Sequence, residues 1–256
     1  MTIEHLSYSS IQLYLTCAEN WRRKYIQKET SPATPALIVG SVFHATVEQA
    51  LKDRLPLVDG WKTAWDAKLA QDGDAIDWGM ETVEQHYNDG LRLVTAKPVQ
   101  ELVDGLKPLV DETGYWIERK VTLRVPGVPV PIVGYIDLVT EDAVLGDFKT
   151  SRAKWSQSDA ESEIQSLFYI AAMSQLGKTV PGNRFRHYVV TKTKEPQAQV
   201  LEHRHTWKEV AWLYDLIGRV WKGIEAEQFP LNPNGWICGS KYCSFFSTCR
   251  GAKWQA

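Results

Sequence analysis

Apolar residues near the start of the chain recur at the three- and four-residue spacing that is typical of amphipathic helices. Ser7 can cap a first helix, and Cys17 lies on its apolar stripe between Tyr14 and Trp21. The sequence therefore predicts one helix that runs from Ser7 through these positions. Its other apolar and aromatic positions are Ile11, Leu15 and Tyr25.

A second helical segment is expected beyond the break at SPATP. We place it after Gly40, in GSVFHATVEQAL, where His44, Val47 and Leu51 share a face. Residues 56–114 are helical in character but poorly periodic, and several glycines interrupt them. This region predicts an inserted helical lobe.

The pattern changes to that of strands at Tyr115. The segments YWIERKVTLRV, VPIVGYIDLV and AVLGDFKTS are rich in β-branched and aromatic residues and are separated by turn residues. These features predict three consecutive strands.

The remaining pattern alternates between helix and strand. Ser158 and Glu161 form a capping-box pattern for a helix that stops at Gly177. A strand, RFRHYVVTK, a helix over about residues 207–227 and a loop-like tail complete the chain. This order of elements predicts an α/β fold. His203 and His205 alternate as strand residues do, and we expect both on one solvent-exposed face.

The amino-acid composition indicates which class of protein this chain belongs to. The chain has 256 residues, of which 44% are hydrophobic and 23% are charged, which suits one globular domain. The N-terminus lacks the features of a signal peptide, and no stretch approaches the roughly 20 apolar residues of a membrane span. We therefore expect a cytoplasmic protein with no membrane partner. The net charge of −2 gives no uniform positive field, so nucleic-acid binding would depend on local basic patches.

Charged residues interrupt two of the predicted strands. Asp147 and Lys149 are two positions apart, so on a strand they point to the same side, and Asp137 lies in the preceding strand. If the two strands form a hairpin whose loop has an odd number of residues, such as residues 141–143, or if a bulge intervenes, Asp137 faces Asp147. Converging carboxylates favour Mg²⁺ or Mn²⁺, and the lysine would then orient water or stabilise charge. The alternative is a buried Asp–Lys ion pair beside a separate aspartate.

Gln165 and Tyr169 are four residues apart on the following helix. They therefore share one helix face, which could approach Lys149 or a phosphate. The alternative is the polar edge of an amphipathic helix.

The ordered motifs GYIDLV, VLGDFKTS and QSLFY, with a histidine in the upstream GSVFH, resemble the PD-(D/E)XK nuclease superfamily, in particular its RecB-like exonuclease branch. The resemblance implies a restriction-endonuclease-like core, a mixed central sheet flanked by helices, with a cysteine-bearing C-terminal tail. It does not extend over about residues 55–114, where the residue pattern alone predicts the inserted helical lobe. It implies a nuclease domain over residues 1–256. Its expected parts are N-terminal helices at 1–55, the insertion at 56–114, the α/β core at 115–230 and the tail at 231–256.

The resemblance also implies roles for individual residues. Metal ligands would be His44, Asp137, Asp147 and the backbone carbonyl of Phe148, and the imidazole shifts the preference toward Mn²⁺. His44 could instead be a core histidine. The catalytic set would be Asp137, Asp147, Lys149, Gln165, Tyr169 and Glu118. Glu118, in WIERKV, could instead be a surface strand residue.

Four cysteines remain to be explained. Cys238, Cys243 and Cys249 are separated by four and five residues and lack the C-x-x-C knuckles of zinc ribbons. RecB-like relatives with an AddB-type site join one upstream and three C-terminal cysteines through an iron–sulfur cluster, and Cys17 with the other three repeats that arrangement. A [4Fe-4S] cluster is the first expectation, zinc the second and free thiols the third. The first gap departs from the two residues common in these relatives, which makes Cys238 the least secure ligand.

These features predict a metal-dependent DNA exonuclease or nuclease that acts in recombination, repair or phage DNA processing. Its partners would be DNA and a helicase or recombination protein, since the chain has no P-loop of its own. The alternative is a catalytically silent nuclease-fold protein that binds DNA or a recombination partner.

Overall fold

The structure, a computed structural model, describes residues 3–73 and 76–250. None of the described helices is both long and apolar enough to cross a membrane. The helices are α1 (Tyr8–Thr16), α2 (Ala18–Tyr25), α3 (Pro35–Asp53), α4 (Leu57–Asp72), α5 (Val83–Thr95), α6 (Lys97–Asp104), α7 (Gln157–Ser162), α8 (Gln165–Gln175), α9 (Trp207–Glu225) and α10 (Phe246–Cys249). The strands are β1 (Leu6–Ser7), β2 (Val110–Asp111), β3 (Gly114–Tyr115), β4 (Ile117–Leu123), β5 (Ile132–Val139), β6 (Leu145–Ser151), β7 (Arg184–Thr191) and β8 (Ala198–Arg204).

Six of these strands form one mixed sheet. Its order is β1, β5, β6, β7 and β8, and β4 also pairs with β5. β5 and β6 are antiparallel, β6 and β7 are parallel, and β7 and β8 are antiparallel. The parallel pair is connected through α7 and α8, because parallel strands require a crossover. The three consecutive strands and the α/β class are confirmed.

The described chain forms two compact units. The larger contains Ala33–Val121 and Tyr135–Trp207, and the smaller contains residues 3–32, Thr122–Gly134 and 208–250. In the larger unit, α3 to α6 bury an apolar core that includes Phe148 and Tyr188 of the sheet. Each large buried side chain of this core adds about 1.5–3 kcal/mol of stability.

The predicted division into residues 1–55, 56–114, 115–230 and 231–256 stays a prediction. Its positions 1–2, 74–75 and 251–256 lie outside the described residues.

The first predicted helix is two helices. Ser7 caps α1 as predicted, by accepting a hydrogen bond from the backbone N–H of Ser10 at 3.1 Å. Cys17 then leaves the helical conformation, with φ −162° and ψ 103°, and α2 resumes at the next residue. The extended residue redirects the chain so that Ala18 and Trp21 are both buried.

Helix α3 begins earlier than predicted. It starts at Pro35 instead of after Gly40, and the side chain of Thr34 accepts from the backbone N–H of Leu37. Proline at the first helical position loses no hydrogen bond, so SPATP contains a start signal.

The predicted capping box is displaced by two residues. Ser156 and Asp159 form it, instead of Ser158 and Glu161, and the backbone N–H of Ser156 donates to Asp159 Oδ2 at 2.7 Å. The chain then breaks between α7 and α8. The stop at Gly177 is confirmed, since this residue follows α8 with φ +71°.

Strand β8 was not among the predicted elements, and the expected exposure of two histidines was wrong. His203 and His205 are buried, at 5% and 6% exposure. His203 stands opposite Phe185 in the pairing of β7 with β8, and their rings pack edge to face. Ser166 Oγ lies 2.6 Å from His205 Nε2. The pairing of β8 with β7 and the contact with α8 therefore bury two histidines that the local sequence pattern predicts to be exposed to solvent.

Candidate metal centre and active site

Two aspartates face each other on the β5–β6 hairpin. The strands pair with Leu138 opposite Gly146, so the adjacent pair in register is Asp137 with Asp147. The backbone N–H of Thr140 donates to the carbonyl of Val144 at 3.0 Å, which leaves a turn of residues 141–143. Opposed residues of an antiparallel pair share a face, so both carboxylates project from one side.

Three side chains from different elements converge on one point. His44 of α3, Glu118 of β4 and Asp137 of β5 each offer one ligand atom, and these atoms all lie within 4.8 Å of one another. His44 Nδ1 is 3.3 Å from Asp137 Oδ2 and 3.9 Å from Glu118 Oε1. Ligands bound at about 2.1 Å to one ion lie at most about 4.2 Å apart, so a divalent ion requires only small adjustments. The donor set fits Mg²⁺ or Mn²⁺.

Glu118 reaches this point from an unusual backbone conformation. Its φ is +48°, within the left-handed region, although the residue belongs to β4. A non-glycine residue in this region costs of order 1–3 kcal/mol and persists when its surroundings hold it. Such residues cluster at functional sites, which favours the ligand interpretation of Glu118 over a surface role.

Electrostatics tie the three groups together. Burial lowers the pKa of His44, but the carboxylates of Asp137, Glu118 and Asp147 outweigh burial and raise it to about 9. Burial, followed by the charge of Asp147, raises the pKa of Asp137 above its ordinary range. The group of His44 and Asp137 therefore holds a proton near neutral pH, and a metal ion must displace it.

The second aspartate begins a chain of one ion pair and three hydrogen bonds. Asp147 Oδ2 lies 2.8 Å from Lys149 Nζ, which donates to Gln165 Oε1 at 2.7 Å. Gln165 Nε2 donates to Tyr169 Oη at 2.9 Å, and Tyr169 donates to the backbone carbonyl of Tyr135. The four predicted residues from β6 and α8 are thus brought together, and Asp147 turns toward the ammonium instead of toward His44.

The charges along this chain are fixed near neutral pH. Burial lowers the pKa of Lys149, but the adjacent Asp147 outweighs burial and raises it above its ordinary value. Burial alone would raise the pKa of Asp147, yet Lys149 and His187 hold it below its ordinary value. Burial and then the two aspartates raise the pKa of Tyr169, which keeps the phenol neutral. Lys149 is therefore a cation and hydrogen-bond donor here, not a base.

Phe148 connects the two aspartates through its backbone. Its N–H donates to Asp137 Oδ2 at 2.7 Å, which orients that carboxylate. The N–H and C=O of one residue in an extended strand point to the same edge, so the Phe148 carbonyl leaves β6 toward Asp137 as well.

The comparisons with known proteins agree with this geometry. The sequence matches the PD-(D/E)XK nuclease superfamily over residues 5–250. The chain belongs to this superfamily. Nucleases of the superfamily typically use Mg²⁺ or Mn²⁺, and the His44, Glu118 and Asp137 group offers a place for such an ion.

The fold of the superfamily is also found among solved structures. A crystal structure from Eubacterium rectale, provisionally named an exonuclease, aligns over 97% of this chain and 88% of that chain, with 12% identity and a TM-score of 0.64. A second structure, SSO0001, aligns over 94% of this chain and 92% of that chain, with 14% identity and a TM-score of 0.37, which is too low to support a shared fold. No curated protein matches. The restriction-endonuclease-like fold is confirmed.

One neighbour of this PD-(D/E)XK site was missed from the sequence. His187 of β7 is fully buried and stands opposite Asp147 in the parallel pairing of β6 with β7. Its Nδ1 lies 3.9 Å from Asp147 Oδ2, and its ring packs against His203. The histidine in RFRHYVVTK is visible in the sequence, but its partner is fixed only when the crossover brings the two strands together.

The four cysteines occupy the smaller unit. Cys17, Cys238, Cys243 and Cys249 are free thiols of intermediate exposure, and all four line one cavity of about 160 Å³. Burial raises the pKa of Cys243 and of Cys249, so these thiols are protonated near neutral pH.

Local hydrogen bonds hold the cysteine segment against α1 and α2. Arg23 Nη1 donates to Thr248 Oγ1 at 2.8 Å, and Asn232 Nδ2 donates to the carbonyl of Thr16 at 3.0 Å. Asn20 Nδ2 lies 3.5 Å from Cys243 Sγ. The upstream cysteine and the three C-terminal cysteines thus lie around one cavity, and their role as ligands stays a prediction.

Proposed function

We propose that this protein is a metal-dependent deoxyribonuclease of the RecB-like exonuclease branch, which hydrolyses phosphodiester bonds of DNA. The observation that carries the proposal is the convergence of His44, Glu118 and Asp137 beside the Asp147–Lys149 pair. A protein that only binds DNA has no use for a buried carboxylate pair next to an ammonium, since each buried charge is costly.

The ion would be held by His44, Glu118 and Asp137, with Asp147 and the Phe148 carbonyl as further ligands. When bound, Mg²⁺ or Mn²⁺ lowers the pKa of a coordinated water and stabilises negative charge on the phosphate. His44 supplies a nitrogen ligand, which favours Mn²⁺ more than an all-carboxylate site does.

Lys149 would act on the substrate as a hydrogen-bond donor. Its ammonium is cationic at neutral pH and is shared between Asp147 and Gln165. It can therefore donate to a phosphate oxygen or orient the attacking water, while Gln165 continues to hold it. Tyr169 acts through Gln165 as a positioning residue.

The activity is tested with end-labelled single-stranded and blunt duplex DNA in Mg²⁺ or Mn²⁺. We expect Asp137→Asn to reduce cleavage at least 100-fold, since an amide keeps the hydrogen bond from Phe148 but is a poor ligand. Lys97→Ala is the matched control, because this exposed residue of α6 pairs only at 3.5 Å with Glu101. Wild-type cleavage by Asp137→Asn, or no cleavage of any substrate by the wild type, would overturn the proposal.

We further propose that the four cysteines hold a [4Fe-4S] cluster. The support is that all four cysteines, one upstream and three C-terminal, line one cavity of about 160 Å³, and that the sequence lacks the C-x-x-C knuckles typical of zinc ribbons. The cluster would join Cys17 to the C-terminal segment and so stabilise the smaller unit.

An anaerobic preparation tests the cluster. We expect absorbance near 400 nm and about four irons per chain, with both lost in Cys17→Ser. Stoichiometric zinc in a colourless wild-type preparation would contradict the cluster. A helicase or recombination partner and a cytoplasmic location remain parts of the proposal.

A further inference from the structure

We propose that a groove beside the candidate metal centre binds a single strand of DNA through phosphate contacts and one base-stacking contact. The groove measures about 630 Å³, and Glu118 lies in its wall. The inference rests on the proposed function, because Glu118 belongs both to the groove and to the metal-binding group. Its lining residues are Lys52, Tyr115, Ile117, Glu118, Arg119 and Lys120.

Three of the six lining residues are cationic. Arg119 is held in place by its neighbours, since its Nη2 donates to Thr113 Oγ1 at 2.5 Å and its guanidinium stacks on Trp116 at 5.3 Å. Lys120 is exposed, and Lys52 pairs with Glu48 at 2.5 Å. Both residues line the groove, so the fixed guanidinium and the exposed ammonium can each contact a phosphate, and an arginine held in advance loses less entropy on binding.

Tyr115 supplies the stacking surface. It is 39% exposed, whereas the adjacent Trp116 is buried and donates from its indole N–H to Asp111 Oδ2 at 2.7 Å. The pairing of Tyr115 with Val110 in the β2–β3 hairpin fixes its backbone. An exposed aromatic ring within a cationic groove is the combination that single-strand binding sites use.

The aromatic ring favours a single strand over a duplex. Within a continuous strand, a base can stack on Tyr115 only when it is out of a duplex, because both faces of an internal paired base are covered by its neighbours. A strand held here by its phosphates would pass directly beside Glu118, which gives the groove a direction toward the metal-binding group.

Binding is measured without catalysis, by fluorescence anisotropy of a labelled 20-nucleotide dT strand and of a blunt duplex, in EDTA, with the full-length protein. We expect Tyr115→Ala to weaken single-strand binding by about 5- to 150-fold. Tyr115→Phe keeps the ring and should bind within about twofold of the wild type. Lys120→Ala should reduce the slope of log K against log salt by about 0.7, whereas the surface variant Lys97→Ala leaves it unchanged.

If Tyr115→Ala and Lys120→Ala both bind the single strand with wild-type affinity, the proposal that this groove binds DNA is refuted. An equal loss on the strand and on the blunt duplex would overturn the single-strand assignment. The two proposals fail separately. If the protein binds the strand through Tyr115 but cleaves no DNA in Mn²⁺, the proposed groove is supported and the proposed nuclease activity is refuted. If Tyr115→Ala changes neither cleavage nor strand binding, the proposed nuclease activity is supported and the proposed groove is refuted.

Discussion

Replacing Lys149 by methionine removes the partner of a buried charge. The side chain of Asp147 is 2% exposed, and its Oδ2 lies 2.8 Å from the ammonium. Methionine preserves much of the length and apolar volume of lysine but cannot donate a hydrogen bond. In Lys149→Met, His187 at 3.9 Å is the polar group that remains near this carboxylate oxygen.

The expected loss is about 3 kcal/mol in the free energy of unfolding. Removing one partner of a buried ion pair costs about 3–5 kcal/mol, and the lower end applies because the Lys149 side chain retains 25% exposure. The double variant Asp147→Asn with Lys149→Met carries no unpaired charge and should recover most of that loss. The exposed pair Lys62–Asp66 offers a control, since Lys62→Met should cost less than about 1 kcal/mol.

The loss should also depend on pH. The pKa of Asp147 is lowered in the wild type, so its contribution is present above the unfolded pKa of about 3.9 and is lost as the pH falls through the folded value. Without Lys149, burial raises that pKa, and the variant recovers stability as the carboxyl takes up a proton. The difference between Lys149→Met and the wild type should therefore be largest at pH 7 and smaller at pH 5.

The measurement is urea unfolding followed by tryptophan fluorescence and circular dichroism, in EDTA so that no divalent ion replaces the ammonium. Equal urea midpoints for Lys149→Met and the wild type at pH 7 would refute the reasoning. A double variant no more stable than Lys149→Met would refute it as well, because the penalty would then not arise from the unpaired carboxylate.

Three further predictions concern other groups. Because the pKa of His44 is raised to about 9, Mn²⁺ must displace a proton to bind, and its affinity should rise about tenfold per pH unit between pH 6 and 8 for each proton displaced. Electron paramagnetic resonance of free Mn²⁺ measures this affinity. An affinity that does not change with pH would exclude the imidazole as a ligand. Gly90→Ala should destabilise the protein by about 1–3 kcal/mol in urea titrations, because its Cβ would lie 1.9 Å from Trp61, and an unchanged midpoint would contradict the close approach. Asp142→Asn should lower the free energy of unfolding at pH 7 by less than about 1 kcal/mol in urea titrations, since Arg186 lowers the Asp142 pKa to about 2. The difference from the wild type should shrink as the pH falls from about 4, where the unfolded carboxyl protonates, to about 2, where the folded carboxyl protonates, and a constant difference would argue against the ion pair.

The sequence predicted best those parts of the site that lie within short regular segments. Asp137 and Asp147 could be placed opposite each other because a strand has a period of two and the turn an odd count, and the observed register agrees. Gln165 and Tyr169 could be placed on one helix face for a similar reason. In these segments, local periodicity alone determines which side chains meet.

The rest depends on contacts that local periodicity does not encode. Glu118 reaches the metal-binding group because its φ is positive, and no pattern in the sequence predicts this backbone conformation. His187 meets Asp147 only because β6 and β7 pair in parallel across the connection through α7 and α8. Likewise, the sequence of β8 is largely polar, yet the pairing of β8 with β7 buries His203. Each of these features arises from tertiary pairing that overrides local character.

The two aspartates of the hairpin have opposite electrostatic surroundings, and this difference divides the site into two halves. Asp137 lies with His44 and Glu118, where burial and the charge of Asp147 raise its pKa. Asp147 is paired with the ammonium of Lys149, which holds its pKa below the ordinary value. A divalent ion that also draws on Asp147 would weaken its attraction to Lys149, while Gln165 still accepts a hydrogen bond from the ammonium. Under the proposed function, the lysine would then donate to a phosphate without becoming an unpaired buried charge, and the Asp147–Lys149 pair would hold this ammonium in place until substrate binds.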